Sequence, residues 1–329
     1  MTLTPPPEWA PHDAVWIGFP SHPELWEEDL APARAEVVAF AKAVRQDGAG
    51  ERVILVAADD ASRDAALGLT DGGIEVIVEP FGDIWLRDTG PIVTGDGGTA
   101  CFRFNWWGDK YRLAGDETLA GRLAHSAGYN AVRHDWVLEG GAIDGDGTGL
   151  VVTTEQCLLN PNRNPDLSHA DIEAHLANDL GLPRVLWLGE GLANDHTDGH
   201  VDNLARFVGP NRLAIPVPAG DDDPNSAIYA EAAERARAAG IEVVPIPSPG
   251  LIEDDQGEGP EAIPASYMNF YIGNAAVVVP VYGAANDEAA VAAIQALFPD
   301  RKAVGLRADH ILTGGGSFHC ISQQMPIIA

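Results

Sequence analysis

A lone thiol stands in the run Gly314-Gly315-Gly316-Ser317-Phe318-His319-Cys320. Three consecutive glycines suit neither a helix nor a strand, so the backbone there must turn tightly or approach another group closely. A cysteine in that setting is either a nucleophile or a small buried hydrophobe. The segment Asp195-His196-Thr197-Asp198-Gly199-His200-Val201-Asp202-Asn203 concentrates imidazoles and carboxylates. In an extended conformation, period two places His196, Asp198, His200 and Asp202 on one face. Two further acids stand beside glycines: Asp88 in Asp83-Ile84-Trp85-Leu86-Arg87-Asp88-Thr89-Gly90-Pro91, and Glu139 in Leu138-Glu139-Gly140-Gly141. Such groups serve either a divalent metal or covalent hydrolysis of a cation, with a thiol as nucleophile, an imidazole as proton shuttle and carboxylates as clamps. The covalent chemistry uses every group and is preferred.

The elements that must position these residues alternate along the chain. Strands are expected at 14–19, 52–57, 74–79, 129–133, 184–188, 242–246 and 301–305. Helices are expected at 31–45, near Asp60, and at 116–127, 168–180, 225–239 and 287–298. Ser168 reads as an N-cap and Gly240 as the residue closing its helix. Strand pairs precede the later helices, at 203–208 with 212–217 and at 267–272 with 275–281. The recurring unit is strand, strand, helix, strand, about five times along one domain covering 1–329. The stretches 221–224 and 253–258 read as solvated acidic loops.

Composition limits the partners. The net charge is −29, from 49 acids against 20 Lys plus Arg, which disfavours nucleic acid and anionic membranes and favours cationic small molecules. The three cysteines, Cys101, Cys157 and Cys320, form no C-x-x-C pair, so a thiolate zinc site is excluded and a reducing, cytoplasmic setting is expected. Cys101 and Cys157 read as core residues. The N-terminal residues have no signal-peptide pattern, and no apolar run approaches the ~20 residues of a membrane span.

Taken together, Asp88-Thr89-Gly90-Pro91, Phe104-Asn105-Trp106-Trp107-Gly108, Leu138-Glu139-Gly140-Gly141, Thr153 to Leu158, Asn162-Arg163-Asn164-Pro165, Gly199 to Asn203, Tyr267 to Tyr271 and Gly314 to Cys320 resemble agmatine deiminases and the related bacterial-type peptidylarginine deiminases. The resemblance runs from Pro7-Glu8-Trp9 to Gln324. It implies the pentein fold, an α/β five-bladed propeller of ββαβ units around a central site. It also implies hydrolysis of agmatine to N-carbamoylputrescine and ammonia in putrescine and polyamine biosynthesis, with no metal or other cofactor, and a homodimer. The family pattern makes Cys320 the nucleophile, His200 the acid and base, and Glu139 its partner, with Asp88 and Asp202 gripping the guanidinium. Trp85 and Trp107 are candidate walls for the substrate tail. Asn269 and Tyr271 are expected to be structural, and His319 to point away from the thiol.

Three departures from the family pattern bear on the tail. Ser317 and Phe318 replace an Asn and an Ile, Asp109 stands in a W-G-G motif, and His196 and Asp198 replace a Glu and an Asn. Arginine and peptidyl-arginine therefore stay open as substrates. So do two other classes: Asp198-x-His200-x-Asp202 is similar to the ligand element of manganese ureohydrolases, and a non-catalytic cation binder would need only the clamp.

Overall fold

Apolar β-branched runs separated by amphipathic helices fold here into five sheets of one design. The computed structural model describes residues 2–254 and 261–328. In each sheet a short leading strand pairs antiparallel with a second strand, which a helix then links to a parallel third. Ile92–Val93, Gly98–Arg103 and Asn130–Val137 form one such sheet, and Asp144–Gly145, Leu150–Thr154 and Arg184–Leu188 the next. Arg206–Gly209, Arg212–Val217 and Glu242–Pro247 form another, followed by Tyr271–Ile272, Ala276–Val281 and Lys302–Arg307.

The remaining sheet joins the two ends of the chain. The C-terminal strand Ser322–Pro326 is its leading strand, antiparallel to His12–Gly18 with Trp16 opposite Gln323 and Ile17 opposite Ser322. Arg52–Ala57 and Glu75–Val78 extend it in parallel. This closure fixes the segment carrying Cys320, because the thiol lies just ahead of the final strand. The expected ββαβ order is thus present in all five sheets, with a hairpin of Glu253–Asp254 and Glu261–Ala262 added.

The helices follow from their sequences. His169–Leu180 begins at Ser168, whose hydroxyl accepts from the Asp171 N–H while the Asp171 carboxylate accepts from the Ser168 N–H. Such a reciprocal cap is worth about 1 kcal/mol. Ile172, Leu176 and Leu180 then recur at helical spacing and are buried, and Gly181 ends the helix at φ +64°. Gly240, at φ +77°, follows Ser226–Ala238 as expected. No helix among the described residues is long and apolar enough to cross a membrane.

Three expectations need correction. Residues 195–203 are not extended: Asp198 and Gly199 take φ +63° and +84°, and Val201–Leu204 is a helical turn. The leading strands are shorter than expected, at Arg206–Gly209 and Tyr271–Ile272, because the residues before them turn into the site. In the expected acidic loop at 221–224, Asp223 is buried and accepts hydrogen bonds from the Ala219 and Asn225 N–H groups and the Ser248 hydroxyl. Of the expected loop at 253–258, residues 255–258 lie outside the described residues.

Candidate active site

The functional side chains come from equivalent places in the five sheets, each just ahead of a leading strand. Asp88 precedes Ile92, Glu139 precedes Asp144, Asp202 precedes Arg206, Asn269 precedes Tyr271 and Cys320 precedes Ser322. His200 caps the turn Val201–Leu204, its backbone N–H donating to Thr197 Oγ1 at 3.0 Å. The segment read as one charged face is therefore divided. His200 and Asp202 turn inward and are fully buried. Asp198 turns to Arg163, Lys110 and Asn162, and His196 stacks on Tyr111. That division dismantles the D-x-H-x-D ligand element. A different trio, Glu139, Cys157 and His200, brings its donor atoms within 4.8 Å of one another, all buried.

Cys320 is 5% exposed at the floor of a cavity of about 330 Å³. Asn269 Nδ2 donates to its sulfur at 3.0 Å, and Asn269 Oδ1 accepts the N–H groups of His319 at 3.0 Å and Cys320 at 3.2 Å. The thiol also lies 3.6 Å from Asp202 Oδ2. Burial pushes its pKa well above the usual value, and the charges of Asp202 and Asp88 push the same way. The glycines before it have a steric reason. A Cβ on Gly314 or Gly316 would come within 2.7 or 2.6 Å of the Trp85 ring, and Gly315 takes φ +102°.

The carboxylates are held apart by specific donors. Asp88 Oδ2 accepts from Trp107 Nε1 at 2.9 Å, and Oδ1 from the Gly141 N–H at 2.9 Å. Burial raises its pKa; the nearby His200 lowers it, while Asp202 and Glu139 add to the rise. Glu139 Oε1 accepts from Arg163 Nε at 2.6 Å and its Oε2 has no partner. Both ring nitrogens of His200 are likewise without hydrogen-bond partners, with Nδ1 3.8 Å from Asp88 Oδ1. Burial disfavours the charged imidazole, yet the Asp88 charge, the Cys157 thiol and Glu139 outweigh it and hold the pKa well above 6.5. Buried unpartnered acceptors beside a raised imidazole form a receptor for a planar, N–H-rich cation.

Trp85 and Trp107 both line the cavity. Trp107 sits in a left-handed turn, with φ +54° at Trp106 and Trp107, +83° at Gly108 and +72° at Asp109. Each non-glycine residue there costs roughly 1–2 kcal/mol. The strain delivers the indole N–H to Asp88. Trp85 Nε1 donates to Asp83 Oδ2 at 2.7 Å and Trp26 Nε1 to Asp83 Oδ1 at 3.1 Å, so one buried acid aligns two indoles. Burial pushes the Asp83 pKa to about 6.

Several site residues escaped the sequence reading. Asn269 was taken as structural, although it stands ahead of its strand as Cys320 does. His319 does lie on the far side of the thiol from the cavity, but its contact with Asp202 was missed: its Nδ1 reaches Asp202 Oδ2 at 2.7 Å, because Ser317–Ile321 is a turn rather than a strand. Arg163, Asp83, Trp26 and Glu8 carried only weak signals, since their partners are distant in sequence. Cys157 is a core residue as expected, and it also contacts His200.

A buried thiol, an imidazole and three carboxylates from four of the five pseudo-repeats, with the Asn269 amide from the fifth, define a nucleophilic hydrolase of amidine-like cations. The family model for Porphyromonas-type peptidyl-arginine deiminase matches residues 4–326, and the chain belongs to that family. It is 36% identical to the agmatine deiminase of Stutzerimonas stutzeri over 98% of this chain and 95% of that protein. The solved agmatine deiminase of Enterococcus faecalis superposes with a TM-score of 0.91 at 31% identity, covering 99% of this chain and 96% of that one. A Campylobacter jejuni agmatine deiminase with a cysteine changed to serine and substrate bound gives 0.90 at 28% identity, with 99% and 96% coverage.

Proposed function

We propose that this chain is an agmatine deiminase, converting agmatine and water to N-carbamoylputrescine and ammonia in the route to putrescine, through a covalent intermediate on Cys320. The observation that carries the chemistry is the thiol held by Asn269 and flanked by Asp202, with the buried His200 imidazole next to the Asp88 and Asp202 carboxylates. Near-full-length likeness to agmatine deiminases supports the substrate. So does the cavity lining, which among the described residues includes Glu27, Glu28, Asp29 and Asp83 but no Arg or Lys. That lining suits the ammonium end of agmatine and offers no Arg or Lys to the α-carboxylate of arginine.

Asp88 and Asp202 take the guanidinium N–H groups by charge-assisted hydrogen bonds, and Glu139 adds negative charge beside His200. The arriving cation offsets the carboxylates that keep the Cys320 thiol protonated, so the thiol releases its proton to solvent and the thiolate forms beside the carbon it attacks. The sulfur bonds to the central carbon, the cationic His200 gives its proton to the departing nitrogen, and ammonia leaves an amidino-thioether. Water then adds to that carbon as His200 removes its proton. The C–S bond breaks to release the ureido product, and the sulfur regains a proton. The 329 residues act as one catalytic unit, since the participating side chains come from all five sheets.

Incubation with agmatine, arginine and an arginine-containing peptide, following ammonia and ureido product, tests this reading. Turnover of agmatine well above the other two is expected, unaffected by chelator and abolished in Cys320→Ala. Urea as product, or loss of activity in chelator, would overturn it.

A further inference from the structure

Behind the thiol, on the side away from the cavity, a buried chain of charges runs from Asp202 to the N-terminal segment. His319 Nδ1 lies 2.7 Å from Asp202 Oδ2 and its Nε2 lies 2.9 Å from Glu8 Oε2. A carboxylate only accepts, so both ring nitrogens are donors. Glu8 is itself held by Arg87 Nη2 at 3.1 Å, Arg206 Nη2 at 2.9 Å and the Ile272 N–H at 2.8 Å. Asp144 lies beyond, 3.5 Å from Arg206 Nε. The imidazole ring thus cannot turn without breaking a bond at each end, and His319 is 2% exposed.

The consequence falls on Asp202. Its Oδ2 is occupied by His319, while its Oδ1 is buried with no partner among the described residues. Burial acts to raise its pKa, yet the hydrogen bond and charge of His319, followed by the charges of His200 and Arg206, bring it below the ordinary carboxylate value. Asp88, whose oxygens accept from the Trp107 and Gly141 N–H groups and whose nearest imidazole, His200, stands 3.8 Å off, is raised by burial. The two carboxylates of the clamp therefore differ in what stands behind them.

We propose that His319 is a positioning residue for guanidinium binding, fixing one oxygen of Asp202 so that the other remains a charged, open acceptor for a substrate N–H. This rests on the site reading given above. Losing this charge-assisted hydrogen bond weakens binding roughly ten- to hundredfold. The position next to the nucleophile gives the arrangement a purpose: one short turn sets both the sulfur and the oxygen beside it.

The test measures agmatine affinity by calorimetry from pH 5 to 8 in a Cys320→Ser background, with and without His319→Gln. Glutamine is neutral and can bridge only one carboxylate. At least tenfold weaker binding at pH 7 is expected, with the acid limb of affinity moved to higher pH and a cooperative melt retained. In the Cys320 enzyme, KM should rise more than kcat falls. Unchanged affinity and an unmoved acid limb in the folded variant would overturn the proposal. If His319→Gln does not fold, assigned ¹⁵N signals of the His319 ring in otherwise unaltered protein decide it: both nitrogens protonated at pH 7 supports it, and one unprotonated nitrogen overturns it. Should the wild-type protein turn over no guanidine while the serine variant binds agmatine with the expected limb, the proposed function fails and the positioning role stands.

Discussion

Cys320 is a poor nucleophile while the site is empty, since burial and two carboxylates favour its protonated form. In the proposed mechanism a guanidinium reverses that balance on arrival, which would tie formation of the thiolate to the presence of the group to be attacked. His200 has the complementary bias: its cationic form persists well above the ordinary imidazole range, keeping a proton ready for the departing ammonia. Because a raised imidazole loses its proton only as pH passes the raised value, kcat should hold above pH 6.5 and decline at more alkaline pH. A pH–rate profile from 5 to 10 checks this, and a decline centred near 6.5 would contradict it. Cys320, His200, Asp88, Glu139 and Asp202 could be picked out because their types are unusual beside glycines, and the fold gathers them. Asn269 and His319 could not, because an amide and a second imidazole acquire meaning only from the atoms they touch, 51 and 117 positions away for their contacts with Cys320 and Asp202.

At the level of elements, the site depends on short segments that are neither helix nor strand. The glycine run brings backbone against the Trp85 ring, and Gly316 also lies against Cys320: an added Cβ would stand 3.0 Å from its Cβ and 3.2 Å from its sulfur. Gly316→Ala should therefore lower kcat/KM at least tenfold while lowering stability by about 1–3 kcal/mol, the usual range for overpacking. Kinetics with thermal melts checks both. The left-handed turn at 106–109 gives a second case. Gly108 is at φ +83° and a Cβ there would enter the Asn162 side chain, so Gly108→Ala should raise KM by displacing Trp107 from Asp88. Regular elements were placed to within a few residues by periodicity, as at 52–57 and 184–188. The turn at 195–202 was misread because alternating charge imitates a strand, whereas Asp198 and Gly199 carry backbone angles that sequence alternation does not encode.

Across the whole molecule, the repeat supplies equivalent leading strands and the C-terminal strand closes the sheet begun by the N-terminal one. The surplus of acids surrounds a site for a cation, so KM for agmatine should rise with ionic strength as the field is screened, a trend that initial rates from low to 0.5 M salt would reveal. Buried acids near the cavity add a pH dependence of stability. Burial raises Asp83 to about 6 and Asp116 to about 7, so the folded state binds more protons than the unfolded chain between about pH 4 and 7. Their contribution is therefore least unfavourable at acid pH and becomes more destabilising as pH rises through 7. Asp116→Asn should raise the melting temperature more at pH 8 than at pH 5. The count of five units was readable from element order, while the meeting of their leading ends at one thiol was not, since it depends on long-range closure. That covalent site is tested most directly by rapid acid quenching during agmatine turnover, with mass spectrometry of the protein. An amidino adduct on Cys320 that forms and decays as ammonia is released is the expected result; continued turnover in Cys320→Ala, or an adduct on another residue, would contradict the account.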